Sequence, residues 1–167
     1  MATDRSNGSS GPASVARPGV LSLNIREKAA LYAAYMRSIL GGGYPYLVAV
    51  DGDSIAGYAY ASAFRPRTGY RHTVEDSIYV ARAARGRGVG NALLGALIDA
   101  CAKAGYRQMV AVIGGRDELP SIRLHTAHGF FDVGTLPAIG RKFGRWLDCV
   151  HMQRALGEGA TTAPIAE

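Results

Sequence analysis

The sequence predicts a mixed α/β fold, with helices packed on a sheet that is antiparallel for most of its extent. Three observations predict it. Long segments repeat apolar residues every three and four positions, as amphipathic helices do. Short apolar or alternating runs between them read as strands. The order is helix, three strands, glycine turn and helix, strand, helix, two strands, which is not the regular alternation of a doubly wound sheet. With 167 residues and 48% hydrophobic content, the chain suits one compact domain.

Taken in order, residues 1–20 and 157–167 are rich in Gly, Ser, Pro and Ala without periodicity and read as disordered tails around a domain at 21–156. Asn24 is a candidate N-cap with Glu27 three residues on, and Ile25, Ala29, Tyr32, Met36 and Ile39 share one face of a helix that stops at Gly41-Gly42-Gly43. YPYLVAV and SIAGYAYASAF flank Asp51-Gly52-Asp53, a hairpin signal. In HTVEDSIYV, Glu75 and Tyr79 point to one face while Asp76 points to the other. Val89, Leu93, Ala96, Leu97 and Cys101 mark the firmest helix, closed by Gly105. QMVAVIG is apolar throughout, as a central strand covered on both faces is. A short helix around SIRLHTAH stops at Gly129, and FFDVGTL and WLDCVHMQRAL are the last strands, joined by the loop PAIGRKFGR.

The net charge of +6 and pI of 9.6 rest mainly on arginine, the residue suited to bidentate contact with phosphate or carboxylate. A basic nucleic-acid-binding module is the rival use of that charge, but no stretch interleaves aromatics with basic residues as a stacking surface does. Cys101 and Cys149 lack CxxC or histidine spacing, so buried free thiols are expected, with no metal site. No window is long and apolar enough for a membrane span and no signal-like run opens the chain, so the expectation is a cytoplasmic bacterial protein without membrane partners.

The stretch that carries most chemistry is Arg85-Gly86-Arg87-Gly88-Val89-Gly90, between a strand and a helix. Glycines there let several backbone N–H groups point at one anion, and the helix adds its positive end. No Lys-Ser or Lys-Thr follows, which disfavours a nucleoside-triphosphate loop. The competing reading is an ordinary glycine-rich turn with solvated arginines.

The strings FRPRTGYRHTVEDSIYV, ARGRGVGNALLGALI, SIRLH, HGF and GRKFGRWLD, in that order between Tyr46 and Leu156, resemble the GCN5-related N-acetyltransferases, and among them the phosphinothricin and methionine sulfoximine acetyltransferase branch. The resemblance implies the acyl-CoA N-acyltransferase fold, here without its usual first strand and helix upstream of SLNIREK. It also implies acetyl-CoA as cosubstrate, a small-molecule amine as acceptor, direct transfer in a ternary complex and a homodimer.

Residue by residue, the resemblance gives Ile78, Tyr79 and Val80 a role in pairing with the pantetheine arm. It gives Arg85, Gly86, Arg87, Gly88, Val89, Gly90 and Asn91 the pyrophosphate. Glu75 stands at the position of the general base, which an ammonium acceptor requires before it can attack a thioester. His125 stands near the departing thiol as general acid, with a structural helix histidine as the alternative. Ser121 is placed beside the cofactor and suits a helix cap better than a nucleophile, having no base partner. Arg71, His72 and Thr73, then Lys142, Phe143 and Trp146, are the substrate-side candidates, since guanidinium and ammonium groups suit an α-carboxylate; solvated loop charges and a core aromatic are the alternative. Glu118 stands where the family has an asparagine, and Thr126 and His128 replace a glutamate and a leucine. These departures motivate a second hypothesis, an acyl-CoA-binding domain with weakened catalysis.

Overall fold

The protein is described by a computed structural model for residues 25–142 and 144–164. It divides into two units, residues 1–34 and 35–167. The described part of the first, 25–34, is helical and opens α1 (Ile25–Gly41). The expected cap Asn24, the expected tail 1–20 and Phe143 lie outside the described residues.

In the second unit α1 ends as the triple glycine predicts: Gly42 N–H donates to Ser38 O at 2.9 Å and Tyr44 N–H to Ile39 O at 3.1 Å. There follow β1 (Tyr46–Asp51), β2 (Ser54–Ala63), β3 (Thr73–Val80), α2 (Val89–Lys103), β4 (Gln108–Ile113), α3 (Leu119–Ala127), β5 (Phe131–Lys142) and β6 (Arg145–Ala155). One sheet of order β1-β2-β3-β4-β6-β5 results, so β4 sits inside it as its apolar sequence requires. Every pairing is antiparallel except β3 with β4.

The alternation in β2, β3 and β4 sorts side chains to two faces. On one, Leu93, Leu94, Leu97, Ile98 and Cys101 of α2 bury themselves against Ala59, Ala61, Val74, Met109 and Ala111. Full burial of each leucine contributes about 2 kcal/mol. On the other face, tyrosines stack: Tyr58 on Tyr79 with ring centroids 4.8 Å apart, Tyr46 on Tyr60 at 5.6 Å, and Tyr35 from the end of α1 edge-on to Tyr60 at 5.7 Å.

The loop expected at PAIGRKFGR is instead strand. β5 runs to Lys142 and β6 starts at Arg145, two strands drawn into one long hairpin. Pro137 is tolerated because β5 lies at the edge of the sheet, and the register shifts between Leu136 and Gly140. There the Ala138 N–H leaves the ladder and donates to the Asp148 carboxylate at 2.9 Å. Residues 157–164, expected as tail, follow β6 as turns; Arg107 donates to Glu158 at 3.3 Å and to the carbonyl of Thr162 at 2.9 Å.

Candidate active site

The glycine turn folds as its composition dictates. Gly86 and Gly88 have φ of +73° and +81°, a region that a side chain disfavours, and open space lies where each Cβ would stand. Gly88 is the N-cap of α2 and has no side chain to satisfy the first-turn amides, so the N–H groups of Val89, Gly90 and Asn91 open the helix without a side-chain cap. Arg87 is drawn aside by an ion pair with Asp51 at 2.8 Å, both more than half exposed, beside a cavity of about 260 Å³ lined by Val50, Asp51, Arg87, Gly88 and Val89. Asn91 accepts a hydrogen bond from His128 Nε2 at 2.9 Å, so its side chain is committed to the end of α3.

Ahead of the turn, β3 and β4 pair from Thr73 with Gln108 to Asp76 with Ala111 and no further, although β3 continues to Val80. The strands fork. Ile78 and Val80 therefore turn backbone groups toward β4 where no strand pairs with them, the arrangement that strand-like pairing with an extended ligand needs, whereas Tyr79 stands on a rung that pairs with Tyr58 of β2.

Glu75 lies just short of the fork, opposite Ser62 on β2 and Val110 on β4. Burial raises its carboxyl above the ordinary glutamate range, the neighbouring Asp76 charge adds to this, and His151 and Arg65 pull the other way. A carboxyl raised in this way is a stronger proton acceptor than an ordinary glutamate. His151 is missed by the sequence reading, where it is one residue within a strand-like string. The register of β6 on β4 puts His151 level with Val112 and Gln153 level with Val110, hence on the face of Glu75.

Asp76 faces away from Glu75 as alternation predicts, and what it meets there is His125. The two side chains are 3% and 5% exposed, with His125 Nε2 3.1 Å from Asp76 Oδ2. His125 Nδ1 donates to the Ser121 carbonyl at 2.7 Å. Burial presses the imidazole pKa down, but the Asp76 hydrogen bond, the Asp76 charge and the Ser121 carbonyl together hold it raised. Both ring nitrogens face acceptors, so neither is placed to protonate a thiolate directly, and the general-acid role expected of His125 is not the one this geometry favours. Ser121 is not the cap either: Glu118 holds that position, its carbonyl accepts from the N–H groups of Ser121 and Ile122, and Ser121 supplies its carbonyl to His125.

The substrate-side candidates are not brought together. Arg71, His72 and Thr73 stand at the start of β3, level with Gln108, where Arg71 Nε donates to His72 Nε2 at 3.2 Å. Lys142 and Trp146 stand at the tip of the β5–β6 hairpin, beyond the other end of β4, with the Arg141 guanidinium 5.8 Å from the Trp146 ring centre.

Comparison with known proteins bears on this arrangement. The family model described as "Acetyltransferase (GNAT) family" matches residues 22–130. The chain belongs to that family. It is 48% identical over 126 residues to a phosphinothricin N-acetyltransferase of Alcaligenes faecalis, an alignment spanning 75% of this chain and 64% of that protein. An L-methionine sulfoximine/L-methionine sulfone acetyltransferase of Salmonella typhimurium is 44% identical over 118 residues, 71% of this chain and 68% of its own. A Sinorhizobium meliloti GNAT phosphinothricin acetyltransferase, solved with acetyl-CoA, superposes with a TM-score of 0.79 at 54% identity, covering 82% of this chain and 74% of that one.

The residues of this GNAT chain fit an acyl-CoA. The open cradle at Gly86 and Gly88, the uncapped start of α2 and the β4-facing backbone of Ile78 and Val80 suit a pyrophosphate followed by an extended amide-bearing arm.

Proposed function

We propose that this protein is an acetyl-CoA-dependent N-acetyltransferase acting on the amino group of a small amino acid analogue such as phosphinothricin or methionine sulfoximine, by direct transfer in a ternary complex. The single observation that carries the reading is the strand–turn–helix from Thr73 to Lys103: one carboxylate of raised pKa, an unpaired strand edge and an uncapped glycine turn in succession. Acetyl-CoA supplies the acetyl thioester. Arg85 to Asn91 hold its pyrophosphate, and Ile78 to Val80 its arm. Glu75 takes the proton from the acceptor ammonium, directly or through water, leaving a lone pair on nitrogen for attack. A backbone N–H on the open edge of β3 steadies the developing oxyanion. His125 acts from behind the strand as a fixed charge near the thiol rather than as its direct proton donor.

The bacterial source of the relatives supports a reaction in the bacterial cytosol, and the exposed β5 edge supports a homodimer. Purified protein is expected to release thiol from acetyl-CoA with phosphinothricin or methionine sulfoximine, and Glu75→Gln to lower kcat about a hundredfold or more. Absence of thiol release across amino acid analogues, aminoglycosides, polyamines and peptides overturns the enzyme reading. The engagement of both His125 nitrogens favours a second reading, an acyl-CoA-binding domain of weakened turnover, which predicts calorimetric coenzyme A binding without turnover.

A further inference from the structure

Asp76 occupies a singular place in the sheet. It is the last residue of β3 to pair with β4, and the two strands part immediately after it. From that rung its carboxylate crosses to α3, which follows β4 in the chain, and meets His125 Nε2 at 3.1 Å while Nδ1 of the same ring is held by the Ser121 carbonyl at 2.7 Å. A carbonyl can only accept, so Nδ1 carries a proton, and with Asp76 ionised Nε2 donates as well: the contact is charge-assisted. Around it stand the Phe130 ring, edge-on to His125 with centroids 5.0 Å apart, and Cys101 of α2, whose thiol is pushed up to about 12 by burial and then by the Asp76 charge. The other carboxylate oxygen, Oδ1, is buried with no hydrogen-bond partner. A carboxylate desolvated this far, with one oxygen unmatched, is costly as core filling and is held by its single strong partner.

We propose that Asp76 and His125 form a pin that fixes the width of the fork between β3 and β4 where the pantetheine arm of an acyl-CoA enters, making Asp76 a positioning residue of the donor site. The inference rests on the acetyl-CoA reading above. Asp76 touches no reacting atom; it acts through His125 and α3 on the geometry of the open β3 edge. The pyrophosphate cradle is built from a different segment, Arg85 to Asn91, so the pin governs the arm and leaves the nucleotide end alone.

That division gives the test. Calorimetry compares coenzyme A with adenosine 3′,5′-bisphosphate, which carries the nucleotide end without the arm, on wild-type protein and on Asp76→Ala, His125→Ala and the double variant. Asp76→Ala is expected to weaken coenzyme A about tenfold or more while the bisphosphate stays within about twofold, and to raise KM for acetyl-CoA with the acceptor KM unchanged. The double variant is expected to bind no worse than the weaker single one, since the pin is already lost. Asp76→Asn keeps the size of the side chain and decides the matter if the alanine variant does not fold: a selective loss of about threefold or more for coenzyme A is expected. Coenzyme A binding within twofold of wild type in a folded variant, equal loss of both ligands, or additive effects of the two substitutions each overturn the pin. Failure of the wild-type protein to bind coenzyme A at all is a separate result, which removes the acetyl-CoA reading itself.

Discussion

As the proposed base, Glu75 has to be ionised to take a proton, so kcat/KM is expected to rise with pH through its pKa, and burial with the Asp76 charge places that rise above 4.5. His151 acts in the opposite sense, favouring the ionised carboxyl. Replacing it by phenylalanine, His151→Phe, therefore moves the acid limb of the kcat/KM profile to higher pH; an unmoved limb in a folded variant shows that His151 does not act on Glu75. His125 gives a stability prediction with a definite sign. Its folded pKa is raised above 6.5, so its contribution is complete below 6.5 and is lost as pH climbs through the folded value. Thermal midpoints measured from pH 6 upward are expected to fall over that window for the wild type and to lose this component in His125→Gln. Glu75 was legible in the sequence because alternation alone assigns its face. The partner of Asp76 was not, because alternation says which side a residue leaves the strand, and the ring it meets lies 49 residues away. His151 acquires its place only from the register of β6 on β4.

At the level of elements, the β1–β2 hairpin, β3 and α2 followed from local chemistry: an Asp-Gly turn, a period of two, a period of three and four, and glycine stops. The β5–β6 hairpin did not, because Pro137 and the glycines around it read as loop unless one knows that β5 is an edge strand, a fact of the whole sheet. The fork between β3 and β4 was equally hidden, since nothing in the composition of β3 marks where its partner leaves. Two glycines make the element-scale argument testable. At Gly88, φ of +81° makes an alanine cost roughly 1–2 kcal/mol in backbone strain, and its methyl enters the space of the cradle. Gly88→Ala is expected to weaken both coenzyme A and adenosine 3′,5′-bisphosphate, the pattern opposite to that of Asp76→Ala. At Gly57, a Cβ would stand 2.7 Å from the Tyr79 carbonyl and 3.1 Å from Leu93 Cδ1. The carbonyl belongs to the β3 ladder and cannot yield cheaply, so Gly57→Ala is expected to destabilise the protein by about 1–3 kcal/mol in urea unfolding.

At the scale of the molecule, one edge of the sheet calls for a partner. β5 is 12 residues long, against 6 for β1 at the opposite edge, and is exposed along nearly its whole length. Phe131, Val133, Leu136 and Ile139 stand out from it, with Trp146 beside them on β6. Scattered apolar residues on a surface need no explanation, but a run of them along one long edge strand is a liability that proteins cover. Continuous strand-to-strand pairing is a poor way to cover this edge, because Pro137 lacks an N–H and the register breaks twice, between Asp132 and Gly134 and between Leu136 and Gly140. Side-chain packing of one β5–β6 hairpin against a second copy of the chain is the better solution, and a two-fold arrangement presents the same apolar residues from both sides. The net charge of +6 opposes association only weakly at physiological salt, where screening acts within about 8 Å. The wild-type protein is therefore expected to sediment as a dimer at micromolar concentration. Ile139→Lys, which places a charge between Leu136 and Trp146 at the tip end of the apolar run, is expected to shift it to monomer with the fold intact. A wild-type monomer across that range, or a dimer indifferent to Ile139→Lys and to Trp146→Ser, rules out this edge as the interface.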